Sequence, residues 1–299
     1  MGHGYWERTS FVDYSKRVGR SVSVDGTVAG DYSNQEMFRA RRLDPMLDPK
    51  HVIRECCDTP EHPETLPVIL ALDVTGSMGK SAVEVAKKLN LIMTDLYEKV
   101  KDVEFMIMGI GDLSCDRVPI QISQFESDIR IAEQLDKIYF EFGGGGNAYE
   151  SYTAAWYMGA RHTKLDCWKR GKRGIIITMG DEQLNPYLPV VGNRCGLAEA
   201  TGDHLQGDIE TKDLYEEVIQ KYDIYHLDVN HRYRADIEAI RRTFGKYLDK
   251  KHFREVTLDN IADEIVHIVV QAAGKEEKEE KEEKKTIDKW RLFRGGISW

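Results

Sequence analysis

Asp73, Thr75 and Ser77 stand at alternate positions of one short stretch, Asp73-Val74-Thr75-Gly76-Ser77. One carboxylate and two hydroxyls so spaced offer oxygen ligands only, which suits a hard divalent cation such as Mg2+. Two further places set glycines beside potential ligands: residues 143–150 (GGGGNAYE) and 178–182 (TMGDE). Mg2+ takes about six oxygens and usually keeps some as water. The first loop therefore leaves room for one group from each of the other two, plus water or a partner. Plainer roles exist for the same residues. Asp73 could cap the helix that follows, and the glycine run could be a tight turn with Asn147 as an N-cap. Asp112, after Gly111, reads as a solvated turn residue.

Other chemistries fit poorly. Gly76-Ser77-Met78-Gly79-Lys80-Ser81 ends like a phosphate-binding loop, but the first glycine of that motif would fall on Val74. No GxSxG nucleophile elbow occurs. A phosphotransferase built on Asp73 would want a second carboxylate beside it, and Thr75 holds that place. The nine histidines are scattered and form no convincing pair with a carboxylate. The expectation is a protein that binds rather than catalyses.

The elements that must position these loops follow from hydrophobic period. An apolar run at 66–72 leads straight into Asp73 and predicts a buried strand. Residues 103–110, 174–178 and 222–229 predict further strands, 118–125 a shorter one, and 252–256 a last one. Helical spacing predicts helices over 80–100, 129–138, 147–161, 208–221, 234–248 and 258–273. Such alternation implies a doubly wound, mostly parallel sheet with helices on both faces. In that fold class, loops at the carboxyl ends of strands converge on one edge and bind ligands there. Residues 183–207 form a connection longer than most. Residues 1–50 show no sustained period and predict an irregular arm that packs on the domain or awaits a partner. Asp48-Pro49 offers a helix start within 43–57.

The divisions expected are an arm over 1–63, a domain over 64–273, and a charged spacer with an aromatic, basic tail over 274–299. Residues 275–285 (KEEKEEKEEKK) carry no apolar side chain, whereas 286–299 (TIDKWRLFRGGISW) do. The tail reads either as a docking peptide or as a segment that folds back on the domain. The net charge of −9 argues against general affinity for nucleic acid or an anionic membrane. Five cysteines at irregular spacing, without a CxxC pair, suit reduced thiols. No leader pattern or membrane-length apolar run appears, so a cytoplasmic location is expected.

Asp73-Val74-Thr75-Gly76-Ser77, placed after a buried strand and before a long helix, resembles the D-x-[ST]-x-S motif of von Willebrand factor type A (VWA) domains. There the motif forms the metal-ion-dependent adhesion site, MIDAS. The resemblance covers roughly 64–273 and agrees with the order of strands and helices. It implies Asp73, Thr75 and Ser77 as ligands of Mg2+, with Mn2+ or Ca2+ as alternatives. The family's second loop supplies a threonine after glycines. Here Asn147 offers a carbonyl oxygen instead, and Glu150 a carboxylate, as in a subgroup with glycine-rich loops followed by Pro-Glu. The third loop normally reads T-D-G. Here Met179 holds the aspartate position, and Asp181 stands two residues later. The resemblance thus implies a variant MIDAS. The resemblance implies a binding module whose metal is completed by a partner's Asp or Glu. Free-standing bacterial and phage relatives act as adaptors, in some cases for AAA+ ATPases, which makes such an ATPase or an assembly subunit the expected partner. Three other readings stay open: a metal-dependent hydrolase or phosphotransferase using Asp73, an RNA-associated VWA protein, and a structural assembly subunit.

Overall fold

Apolar runs that are buried on both sides belong in the middle of a layered α/β structure. The computed structural model describes residues 4–141, 148–229 and 234–274. Six strands form its main sheet: β1 (Leu66–Asp73), β2 (Val103–Ile110), β3 (Ile120–Ile122), β4 (Gly174–Gly180), β5 (Tyr222–Val229) and β6 (Phe253–Val256). Their order is β6-β5-β4-β1-β2-β3. Every pairing is parallel except that of β3 with β2. The doubly wound α/β class expected from the sequence is the one observed.

Alternation along the strands divides the core in two. Val68, Leu70 and Leu72 of β1 face one layer, which holds helices α2 (Gly79–Lys99), α3 (Arg130–Leu135) and α7 (Ile261–Ala272). Ile69 and Ala71 face the other layer, under α4 (Thr153–Arg161), α5 (Thr211–Val218) and α6 (Arg234–Phe244). The neighbours of β1 are β2 on one side and β4 on the other. The strand order therefore reverses beside β1, and its carboxyl end opens the crevice where such sheets bind ligands.

Several local expectations are corrected. The helix expected from residue 147 opens at Thr153, because Tyr149 and Glu150 run extended in a parallel ladder with Gln183 and Leu184. No helix starts at Asp48-Pro49. The Asp48 carboxylate accepts from the Lys50 amide and closes a turn, and Arg54–Cys56 then pairs with Thr163–Leu165. The arm is not irregular throughout, for it contains α1 (Arg8–Arg17). Trp6, Phe11, Tyr14, Met37 and Phe38 are buried in the core layer that holds α2. The long connection holds a ladder of Tyr187–Leu188 with Ile209–Glu210 and a short helix, Leu197–Thr201. Asn147, the glycines before it, and the spacer and tail from 275 onward lie outside the described residues. Among the described residues, no helix is long and apolar enough to cross a membrane.

Candidate metal centre

Asp73 is the last residue of β1, and its side chain follows Ile69 and Ala71 onto the face covered by α4. It is completely buried. The following residues turn sharply because the carboxylate organises its own loop. Asp73 Oδ1 accepts from the Thr75 amide at 2.8 Å and from Thr75 Oγ1 at 2.5 Å. Such short-range bonds from Asp to the residue two places on form an Asx turn. Asp73 therefore does not cap α2, whose first turn has no side-chain cap.

The first loop then reaches the third. Thr75 Oγ1 and Ser77 Oγ lie 3.4 Å apart, and Ser77 Oγ donates to Asp181 Oδ1 at 3.1 Å. Asp181 follows the final residue of β4. The strand is longer than its apolar run suggested, and it carries Met179 and Gly180 within the sheet. That extension is what lets Asp181 stand beside Ser77 in place of the residue two positions earlier. Val74 and Thr75 are buried, whereas Gly76 and Ser77 are exposed, so the oxygen cluster opens to solvent on the loop side.

Below Asp73 lies Tyr152, a residue sequence reasoning did not select. Its hydroxyl donates to Asp73 Oδ2 at 3.1 Å and accepts from the Glu182 amide at 3.1 Å. The hydroxyl sits over Gly180. A Cβ on that glycine would collide with it, so a larger residue would have to displace the Tyr152 ring. Only the position of tyrosine before an apolar helix could have flagged it, and that signal is shared with ordinary core tyrosines.

The surroundings are acidic. Burial raises the Asp73 carboxyl to about 7; the Thr75 hydroxyl and amide and Tyr152 oppose the rise, and nearby Asp181 adds to it. Glu150 is buried, and its Oε2 has no hydrogen-bond partner among the described residues. Burial raises it well above the carboxylate range, with Asp73, Asp116, Asp112 and Glu182 adding to the effect. Asp112 and Asp116 are themselves buried, which corrects the reading of Asp112 as a solvated turn residue. The Asp112 amide donates to Asp116, while Ser114 caps the Asp112 carboxylate. Asp228, at the end of β5, is buried, and among the described residues neither carboxylate oxygen is hydrogen-bonded. An aspartate interrupting an apolar strand was the available signal for it.

Does this set fit a small divalent cation? Among the described residues, no three His, Cys, Asp or Glu side chains stand around one point as a cage. The cluster is instead Asp73 and Asp181 with the hydroxyls of Thr75 and Ser77, all oxygen. At metal–oxygen distances of about 2.1 Å, adjacent ligands of an octahedron lie about 3.0 Å apart. The contacts of 2.5, 3.4 and 3.1 Å along the cluster bracket that edge. A buried carboxylate without a counter-charge is costly, and a cation would supply one. The residues present fit. Of the expected ligands, Asp73, Thr75, Ser77 and Asp181 come together, Glu150 is a buried neighbour in the same acidic surroundings, and Asn147 is not described.

No known protein family matches the sequence, and no curated protein does. Solved structures with a similar arrangement include the pilus adhesin SpaC from Lactobacillus rhamnosus GG. It has 13% identity and a TM-score of 0.44 over 68% of this chain and 30% of that one. The chain thus spans under a third of the adhesin's length. Another is the vWF domain of the type V pili tip protein Mfa5 from Porphyromonas gingivalis, with 12% identity, a TM-score of 0.41, and coverage of 70% and 95%. A third is proximal thread matrix protein 1 from the mussel byssus, at 11% identity, TM-score 0.43, and coverage of 70% and 48%.

Proposed function

We propose that this chain is a VWA-type binding module, an adaptor that recognises a protein partner's carboxylate through a divalent cation, Mg2+ first among the candidates. The observation that carries this reading is the continuous run of oxygens from Asp73 through Thr75 and Ser77 to Asp181, buried at one end and open to solvent at the other. Bound there, the cation supplies a Lewis-acidic position for an incoming carboxylate. The chain's own residues do the rest. Asp73 and Asp181 provide negative charge, Thr75 and Ser77 provide neutral oxygens, and Tyr152 fixes the rotamer of Asp73. Glu150 is a buried carboxyl in the same acidic surroundings.

Binding is favoured over catalysis at Asp73 because both of its oxygens are already engaged, Oδ1 by Thr75 and Oδ2 by Tyr152. A carboxylate held in this way is a poor nucleophile and a good fixed ligand. The long connection over 183–207 stands ready to shape specificity beside the site. The partner classes that suit the reading are an AAA+ ATPase or a subunit of an assembly, each presenting an exposed Asp or Glu.

The test is calorimetric titration of Mg2+ and of Mn2+ into the full chain and into Asp73→Asn. The wild type should bind one ion, and the variant should lose binding at least a hundredfold while remaining folded by circular dichroism. Absence of binding by the wild type, or equal binding by both, would defeat the metal reading.

A further inference from the structure

Among the described residues, Asp228 is a buried acid at the ligand-binding edge of the sheet with no ion pair. It lies at the carboxyl end of β5, fully buried, and both Oδ1 and Oδ2 lack a hydrogen-bond partner among the described residues. Buried carboxylates are costly to leave in that condition, and they persist where something binds them. Arg241 acts on Asp228 through its charge but makes its ion pair with Glu255 on the neighbouring strand.

The register of the sheet places Asp228 with the site. Asp228 pairs with Gly180, and Leu72 pairs with Met179, so Asp73 is level with Gly180 from the other side. Residues paired across a parallel sheet point to the same face. Asp73, Gly180 and Asp228 therefore form one row across β1, β4 and β5, all facing α4 and α6. Strands are about 4.8 Å apart, so the two aspartates start about 9.6 Å from each other. The middle position has no side chain. The Tyr152 hydroxyl stands above it and is committed to Asp73 and to the Glu182 amide. Asp181, which bonds Ser77, begins one residue beyond the middle of this row.

Resting on the metal reading above, we propose that Asp228 is a further binding residue of the same site, a positioning carboxylate that accepts hydrogen bonds from hydration water of the bound cation. A small cation such as Mg2+ keeps several waters, and those waters need acceptors. Asp228 stands two strand widths from Asp73 with the Tyr152 hydroxyl between them over Gly180, and is placed as an outer partner. Carboxylates in such positions commonly set affinity by tenfold or more.

The experiment measures Mg2+ affinity by calorimetry and apo melting temperature for the full chain, Asp228→Asn, Asp228→Ala and Glu255→Gln. Asp228→Asn keeps the shape and removes the charge. The expected result is a loss of Mg2+ affinity of about tenfold, with an apo melting temperature equal to or above the wild type. Asp228→Ala should lose as much affinity even where it melts lower. Glu255→Gln removes one charge a strand further out and should change affinity less than twofold. Unchanged affinity in both Asp228 variants overturns the proposal and leaves the metal reading standing. An equal loss in Glu255→Gln overturns it as well, because the effect is then general charge. No binding by the wild type defeats both.

Discussion

Tyr152 supports Asp73, and His226 in turn supports Tyr152. Their rings meet edge to face at 5.0 Å, and His226 stacks on Phe244 at 3.8 Å. Thr178 Oγ1 donates to the Tyr225 carbonyl at 3.2 Å, so Nδ1 of His226 carries the proton and donates to Thr178 Oγ1 at 2.9 Å. Nε2 has no partner. Burial pushes this imidazole down to about 3. A histidine whose folded value lies below its unfolded value of about 6.5 destabilises the fold once the unfolded chain takes up the proton. Its contribution is full above about pH 6.5 and is lost as pH falls toward 3. His226→Phe should remove that slope and keep the stack. In denaturant unfolding between pH 4.5 and 7.5, wild type should lose stability relative to the variant by up to about 1.4 kcal/mol per pH unit below pH 6.5. Parallel curves would show that His226 is not held neutral.

Elements set the site by where they end. β4 carries Thr178 to Gly180 through the sheet before turning, and this brings Asp181, not Met179, to Ser77. The apolar run GIIIT showed where the strand begins but not where it stops, because Met179-Gly180 could equally start a loop. Runs such as VEFMIMGI and YDIYHLDV had no such ambiguity and became β2 and β5 at the expected residues. The arm was least legible. Only Phe11 and Tyr14 of α1 are buried aromatics, too few to show a period, and their place comes from tertiary contacts. One of these is a buried network. Arg20 Nη1 reaches both oxygens of Asp136 at 2.9 and 2.8 Å, Nη2 donates to the Met37 carbonyl, and the Tyr14 hydroxyl donates to Asp136. Replacing one partner of a buried pair strands the other, so Arg20→Met should cost about 3–5 kcal/mol in urea unfolding. A loss below about 1 kcal/mol, the worth of a surface ion pair, would mean that the arm is dispensable to the domain.

At the scale of the molecule, the negative charge is not spread evenly. Asp73, Glu150, Asp112, Asp116 and Asp228 are all buried at or beside the loops over one edge of the sheet, next to the reversal of strand order. The sequence showed the first loop because its donors are adjacent. It hid the convergence of the others, which depends on strand register and on the Tyr152 hydroxyl over Gly180. A fold of this kind hosts many functions, and only the site distinguishes them. Crystals of the full chain soaked in Mn2+ and measured for anomalous scattering test the account most directly. A single peak should appear among the oxygens of Asp73, Thr75, Ser77 and Asp181, and should vanish in Asp73→Asn. A peak elsewhere on the chain, or none at millimolar Mn2+, would contradict the account.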